Sequence, residues 1–211
     1  MSRLYLVTPA AIDLATFPAL LDEALGAVPV ASLLVAPLGL SDMALQRVAE
    51  VLTPIGQRHD AAVLVRNDTR AAGRAKADGV HVDGSLAELK QAVEAFRPRS
   101  IVGAGGLKTR HDAMAAAETG ADYVFFGMID RPEDPEAHPK SLELAGWWMP
   151  LFETPCVCLA GADLASVAEV ARTGADFVGL RDAVWAHEAG PAAALVEAAR
   201  LIEAHTPERL A

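Results

Sequence analysis

Three times in this sequence a helix-like Ala-rich run stops at a small residue, turns through Ala-Asp and enters a short apolar run. Repetition of a whole structural unit constrains the fold more than any other feature here. The copies are Ala77-Asp-Gly-Val-His-Val82, Gly120-Ala-Asp-Tyr-Val-Phe-Phe-Gly127 and Gly174-Ala-Asp-Phe-Val-Gly-Leu180, preceded by the runs Thr69 to Lys76, Asp112 to Glu118 and Asp163 to Arg172. Each reads as helix, tight turn, buried strand. The aspartates stand at 78, 122 and 176, so the intervals are 122 − 78 = 44 and 176 − 122 = 54, each long enough for two strand-helix units. Alternate units of a β/α barrel have this spacing.

The rest of the chain supplies the intervening units. Leu4 to Thr8 is a short apolar strand, and Asp13 can cap a helix that Gly26 ends. Val30 to Ala36 is apolar throughout, as a strand buried on both faces should be. Ser41 opens a second helix that Pro54 and Gly56 should stop, Ala62 to Val65 is strand three, and the first repeated word supplies strand four, Gly79 to Val82. Ser85 caps helix four, which ends before Pro98, and Ser100 to Gly103 is strand five. Tyr123 to Phe126, Cys156 to Leu159 and Phe177 to Leu180 complete eight strands, with helices expected over Ser141 to Phe152 and Pro191 to Ala204. From Gly127 to Lys140 three prolines alternate with acids in an exposed loop, of a length that usually carries function. Eight strands alternating with helices predict an α/β fold, a single-domain (β/α)8 TIM barrel over residues 1–211, with a polar tail from about 205. An open doubly wound sheet would carry a Gly-rich first turn, and Pro9-Ala-Ala-Ile12 has none.

Charge excludes some partners. With 28 acidic against 18 basic side chains and a net charge of −10, a nucleic-acid or anionic-membrane partner is not expected. Cys156 and Cys158 lie two apart on a strand, too close for a disulfide, and read as core thiols in a reducing cytoplasm. Met1-Ser-Arg-Leu-Tyr-Leu-Val lacks the pattern of a signal peptide and no apolar run approaches the ~18 residues a membrane span needs, so neither is expected. A small-molecule ligand is the expected partner.

A barrel confines its site to the loops after the strands. Arg66-Asn67-Asp68 follows strand three, where an amide and a carboxylate can bind a heterocycle and a magnesium ion, or one of them simply caps a helix. Asp83 after strand four is a second metal-ligand candidate or a turn residue before Gly84. Lys140 closes the Pro-rich loop and can reach over the mouth to a phosphate. Gly161 and Ala162 after strand seven, with Leu180 and Arg181 at the end of strand eight, lie where barrels bind phosphate on backbone N–H groups. Asp182 opposes that use. His81, inside strand four, reads as a hydrogen-bonded barrel histidine, and Trp147-Trp148-Met149 as core or subunit interface.

The order Asn67-Asp68, Ala77-Asp-Gly-Val-His-Val82, Gly120-Ala-Asp-Tyr-Val, a loop ending near Lys140, Gly161 and Gly174-Ala-Asp-Phe-Val resembles thiamine-phosphate synthase and its TenI-like relatives, from about residue 4 to residue 190. The resemblance implies a barrel, often dimeric, that joins a hydroxymethylpyrimidine pyrophosphate to a thiazole phosphate and releases pyrophosphate with magnesium. It makes Asp68 a metal ligand beside Asn67, and Lys140 the pyrophosphate lysine. Departures from the family pattern cluster at the site. Strand two, Ser32-Leu-Leu-Val-Ala-Pro37, lacks the family's Gln, Arg and Lys. Leu86 stands at the second metal aspartate, Gly105 and Leu107 at a Ser and a His, Ala160-Gly161 at a Gly-Gly turn, and Asp182 at a Ser. Three readings stay open. The chain is a synthase whose cationic site is rebuilt from Arg66, Arg131, Lys140 and Arg181, or a barrel for a less phosphorylated ligand, or a non-catalytic partner subunit with an apolar patch around Trp147.

Overall fold

The structure is a computed structural model and describes residues 2–207. Its elements follow in the order β1 (Arg3–Val7), α1 (Phe17–Ala27), β2 (Ser32–Val35), α2 (Asp42–Arg58), β3 (Ala62–Arg66), α3 (Thr69–Ala75), β4 (Gly79–Val82), α4 (Leu86–Phe96), β5 (Ile101–Ala104) and α5 (Arg110–Glu118). They continue with β6 (Tyr123–Phe126), α6 (Pro139–Trp148), β7 (Cys156–Leu159), α7 (Ser166–Arg172), β8 (Phe177–Leu180), α8 (Asp182–Trp185) and α9 (Pro191–His205). The strands close into one parallel barrel in sequence order, β8 pairing back onto β1 through Arg3 and Phe177. The expected (β/α)8 fold is therefore present. Of the polar tail, residues 208–211 lie outside the described residues.

Two apolar layers hold the barrel. Side chains pointing outward from the strands, such as Leu6, Leu33, Val63, Phe126 and Val178, meet the inner faces of the helices in a continuous core. The lumen is filled separately by Tyr5, Leu34, Leu64, Tyr123, Phe125 and Val157, all buried. Both cysteines are buried in the outer layer, as small core residues.

The three repeated words open β4, β6 and β8, and their aspartates have a common task. Asp78 Oδ2 accepts the N–H of Val63 at 2.7 Å, Asp122 Oδ2 that of Val102 at 2.8 Å, and Asp176 Oδ2 that of Cys156 at 2.9 Å. Each carboxylate ties the entry of an even strand to the entry of the odd strand before it. All three sit on the N-terminal rim, the face whose side chains serve stability in barrels.

Three local expectations are corrected. Pro54 and Gly56 do not stop α2, which runs on to Arg58. The ring removes one helical hydrogen bond, but Leu52 and Ile55 on either side are buried in the core, and their burial outweighs that loss. Helix α6 starts at Pro139 and ends at Trp148, because proline suits a first helical turn, so Lys140 lies in the helix rather than the loop. The four-residue α8 was not expected at all; the indole N–H of its Trp185 donates to Val7 O at 2.6 Å and holds the helix over the end of β1.

Candidate active site at the barrel mouth

Two clusters occupy the C-terminal rim. The first grows from the ends of β3 and β4, where Arg66 and Asp83 face each other. Arg66 donates to Asp83 Oδ2 from Nε at 2.8 Å, and its Nη2 lies 2.7 Å from the same oxygen. Asn67, in the left-handed region at φ 54°, donates from Nδ2 to Asp83 Oδ1 at 2.5 Å and accepts the N–H of Asp83 at 3.0 Å. Burial alone would raise the Asp83 carboxyl, but the hydrogen bonds from Asn67 and Arg66 outweigh it and hold the group below its ordinary range. Asp68 caps α3 through Oδ1, which accepts the N–H of Ala71 at 2.8 Å. Its Oδ2 takes no part in that cap.

Beneath this cluster a polar chain crosses the lumen. His81 Nδ1 lies 2.8 Å from the Tyr123 hydroxyl, which lies 2.7 Å from the Tyr5 hydroxyl. Burial pushes the imidazole down to about 4, so His81 is neutral at physiological pH, and burial raises both phenols. The other ring nitrogen, Nε2, is buried without a hydrogen-bond partner. A Cβ on Gly105 would stand 2.4 Å from that nitrogen, so only glycine there leaves its approach from the mouth open. His81 is the hydrogen-bonded barrel histidine expected from its strand position. Its orphan nitrogen was not legible in sequence, because it depends on β5 packing beside β4.

The second cluster lies across the mouth, at the ends of β6, β7 and β8. Arg181 is almost wholly buried and donates from Nη1 to Ile129 O at 2.8 Å and from Nη2 to Arg131 O at 2.7 Å. Its Nε faces Asp182 Oδ1 at 3.2 Å and Glu133 Oε1 at 3.0 Å. Leu180 before it is buried. The N–H of Gly161 goes to Ser166 Oγ at 2.9 Å and that of Ala162 to Asp134 O at 2.8 Å. A Cβ at Gly161 would collide with Pro135 O at 2.3 Å and Glu136 O at 2.4 Å, which explains the glycine where the loop packs on β7. Sequence reasoning missed Glu133, whose Oε2 accepts the N–H of Asp182 at 3.1 Å. Its signal was weak, an acid in an acidic loop.

The four cations that a rebuilt site would use do not converge as free charges. Arg66 is paired with Asp83, Arg181 with Glu133 and Asp182, and Lys140 with Glu143 at 2.9 Å on the exposed side of α6. Arg131 lines a small cavity at the mouth together with Glu133 and Gly161. Trp148 is buried and Trp147 packs against the core, so the apolar patch a partner subunit would need is not formed by these residues. Among the described residues no group of three or more His, Cys, Asp or Glu could hold a metal by protein ligands alone. No described helix is long and apolar enough to cross a membrane.

Comparison with known proteins agrees with this geometry. The family model described as thiamine monophosphate synthase matches residues 4–184. The thiamine-phosphate synthase of Rhodospirillum centenum is 36% identical over 203 residues, covering 95% of this chain and 97% of its own. That of Hyphomonas neptunium is 38% identical over 200 residues, covering 92% and 90%. Among solved structures, a thiamine phosphate pyrophosphorylase from Pyrococcus furiosus superposes with a TM-score of 0.78 at 22% identity over 97% of each chain, a likeness of fold. A match over most of the chain, relatives above 30% identity along nearly their whole length, and a closed eight-stranded barrel with Asn67-Asp68 at its mouth together show that this chain belongs to the thiamine monophosphate synthase family.

Proposed function

We propose that the protein is an enzyme of the thiamine-phosphate-synthase type, transferring a hydroxymethylpyrimidine group from its pyrophosphate to the ring nitrogen of a thiazole. A C–N bond forms, the bond from the methylene carbon to the pyrophosphate oxygen breaks, and pyrophosphate leaves with the electron pair. The observation that carries the reading is the Arg66-Asn67-Asp83 cluster beside Asp68 at the ends of adjacent strands. An amide fixed by Asp83 can orient a heterocycle, and Arg66 can turn its guanidinium from Asp83 to an incoming pyrophosphate.

Magnesium fits this donor set in a limited way, as one or two carboxylates plus phosphate oxygens usually suffice for it. Asp68, with Oδ2 outside its cap, would hold the ion, while Asp83 serves Arg66 and Asn67. The ion, when bound, neutralises charge on the departing pyrophosphate. Neutral His81 presents Nε2 toward the same mouth, placed for a polar edge of the pyrimidine. Lys140 would join only after leaving Glu143. A cytoplasmic homodimer belongs to the same proposal, supported by the family resemblance.

The test is incubation of purified protein with magnesium, hydroxymethylpyrimidine pyrophosphate and the thiazole in phosphorylated and unphosphorylated forms. Stoichiometric pyrophosphate and a thiamine-type product are expected. No product with either thiazole would show that the barrel serves a different reaction.

A further inference from the structure

Barrels of this kind commonly bind a phosphate on backbone N–H groups after strands seven and eight, helped by a short extra helix. Four backbone donors at that place are taken from inside this chain. Gly161 N–H goes to Ser166 Oγ, Ala162 N–H to Asp134 O, Asp163 N–H to Pro135 O at 3.0 Å, and Asp182 N–H to the Glu133 carboxylate. Arg181, buried there, makes two hydrogen bonds to loop carbonyls and faces two carboxylates. Glu133 thus has the partners a phosphate would have: a backbone N–H on one oxygen and a guanidinium beside the other.

The Glu133 side chain is only 5% exposed. Its Oε1 lies 3.0 Å from Arg181 Nε but takes no hydrogen bond, because that N–H is directed to Asp182 Oδ1. An orphan acceptor in a buried position calls for a donor. Beside it is a cavity of about 40 Å³, lined by Gly127, Leu159 and Gly161 from the strand ends and by Arg131, Glu133 and Glu136 from the loop. That space admits a water-sized polar group. A phosphate dianion could enter only by displacing Glu133, and it would then meet Asp134, Glu136 and Asp182 nearby with Arg181 already engaged.

We infer that Glu133 is a specificity-determining residue that fills the phosphate position of this barrel, so that the acceptor is an unphosphorylated thiazole alcohol whose hydroxyl donates to Glu133 Oε1. This rests on the transferase reading above and names its second substrate. The departures at Asp182 and Ala160 fall in the same place. A carboxylate at 182 and a loop packed onto Gly161 both suit a neutral tail.

The experiment compares the two acceptors on the intact protein, by turnover with one pyrimidine pyrophosphate and, independently, by calorimetric binding of each thiazole and of inorganic phosphate. A kcat/KM at least tenfold higher for the alcohol, with binding of the alcohol and none of inorganic phosphate at millimolar concentration, is expected. Equal or better use of the phosphate ester, or tighter binding of it than of the alcohol, overturns the inference and leaves the transferase reading standing. Absence of turnover with both acceptors sinks the transferase reading, while the binding comparison still decides what the cup accepts; no binding of the alcohol overturns the inference there. In Glu133→Ala the N–H of Asp182 and the face of Arg181 are released, and inorganic phosphate affinity should rise at least tenfold. A folded Glu133→Ala variant with no such gain overturns the inference, and the wild-type comparison remains decisive if that variant does not fold.

Discussion

Arg66 Nη2 and Asp83 Oδ2 lie 2.7 Å apart, bridging the ends of β3 and β4, with both side chains largely buried. Arg66→Ala would leave Asp83 a buried carboxylate held only by Asn67. Removing one partner of such a pair should cost about 1–3 kcal/mol. Urea denaturation should show that loss, and turnover should fall at least a hundredfold. Arg66→Lys keeps the charge without the planar fork, so it should recover stability more than activity.

Asp68 caps α3 and, in the proposed function, also holds the metal. Asp68→Ala removes the α3 cap and should lower stability by about 1 kcal/mol, whereas Asp68→Asn keeps a capping oxygen and removes the charge. Thermal denaturation should therefore distinguish the two variants. Magnesium titration of turnover should not, since both are expected to need at least tenfold more metal. Unchanged magnesium dependence in Asp68→Asn would remove Asp68 from the metal site.

The strand-entry aspartates predict the opposite profile. Asp78→Ala deprives the Val63 N–H of its 2.7 Å acceptor on the rim away from the mouth. A loss of about 1–2 kcal/mol is expected with kcat and KM within twofold of wild type. A large kinetic effect in a folded variant would contradict the assignment of this rim to stability.

Glu133 should give stability a pH dependence of unusual sign. Burial raises its carboxyl from 4.5 to about 7, Arg181 pulling it back and Asp182 pushing it up. The folded protein holds a proton that the unfolded chain has released, so this contribution is fully present below about pH 4.5 and is lost as pH rises through 7. At about 1.4 kcal/mol per pH unit the whole window amounts to roughly 3 kcal/mol. Denaturation midpoints measured across that window should decline less steeply with pH in Glu133→Gln. Identical pH profiles for the two proteins would show that the carboxyl is not held in this environment.

The sequence showed the barrel clearly and its mouth only in part. The bounds of β4, β6, β7 and β8 are legible because each is a four-residue, largely apolar run entered from a turn. Pro54 misleads because a core-facing helix tolerates a lost hydrogen bond that an isolated helix would not, and α8 is too short to carry a periodicity. At the site, the end of β3 and the turn after it carry Arg66, Asn67 and Asp68 in sequence order, but the partnership of Arg66 and Asn67 with Asp83 spans two strands. The pairing of Glu133 with Arg181 and Asp182 joins segments about fifty positions apart, and no local pattern announces it. Charge counts along the chain register cations; they do not register which cations are already neutralised.

The carboxylates of Asp78, Asp122 and Asp176 fasten neighbouring strands at one end of the barrel, while the ion pairs of Arg66, Glu133 and Arg181 lie at the other. A strand only four residues long is enough to keep the two ends apart. Substitutions at the mouth therefore leave the three carboxylate seams at the opposite rim untouched, although the Arg66–Asp83 bridge is itself a tie between β3 and β4. The three aspartates hold the barrel closed at one rim, apart from whatever side chains stand at the other.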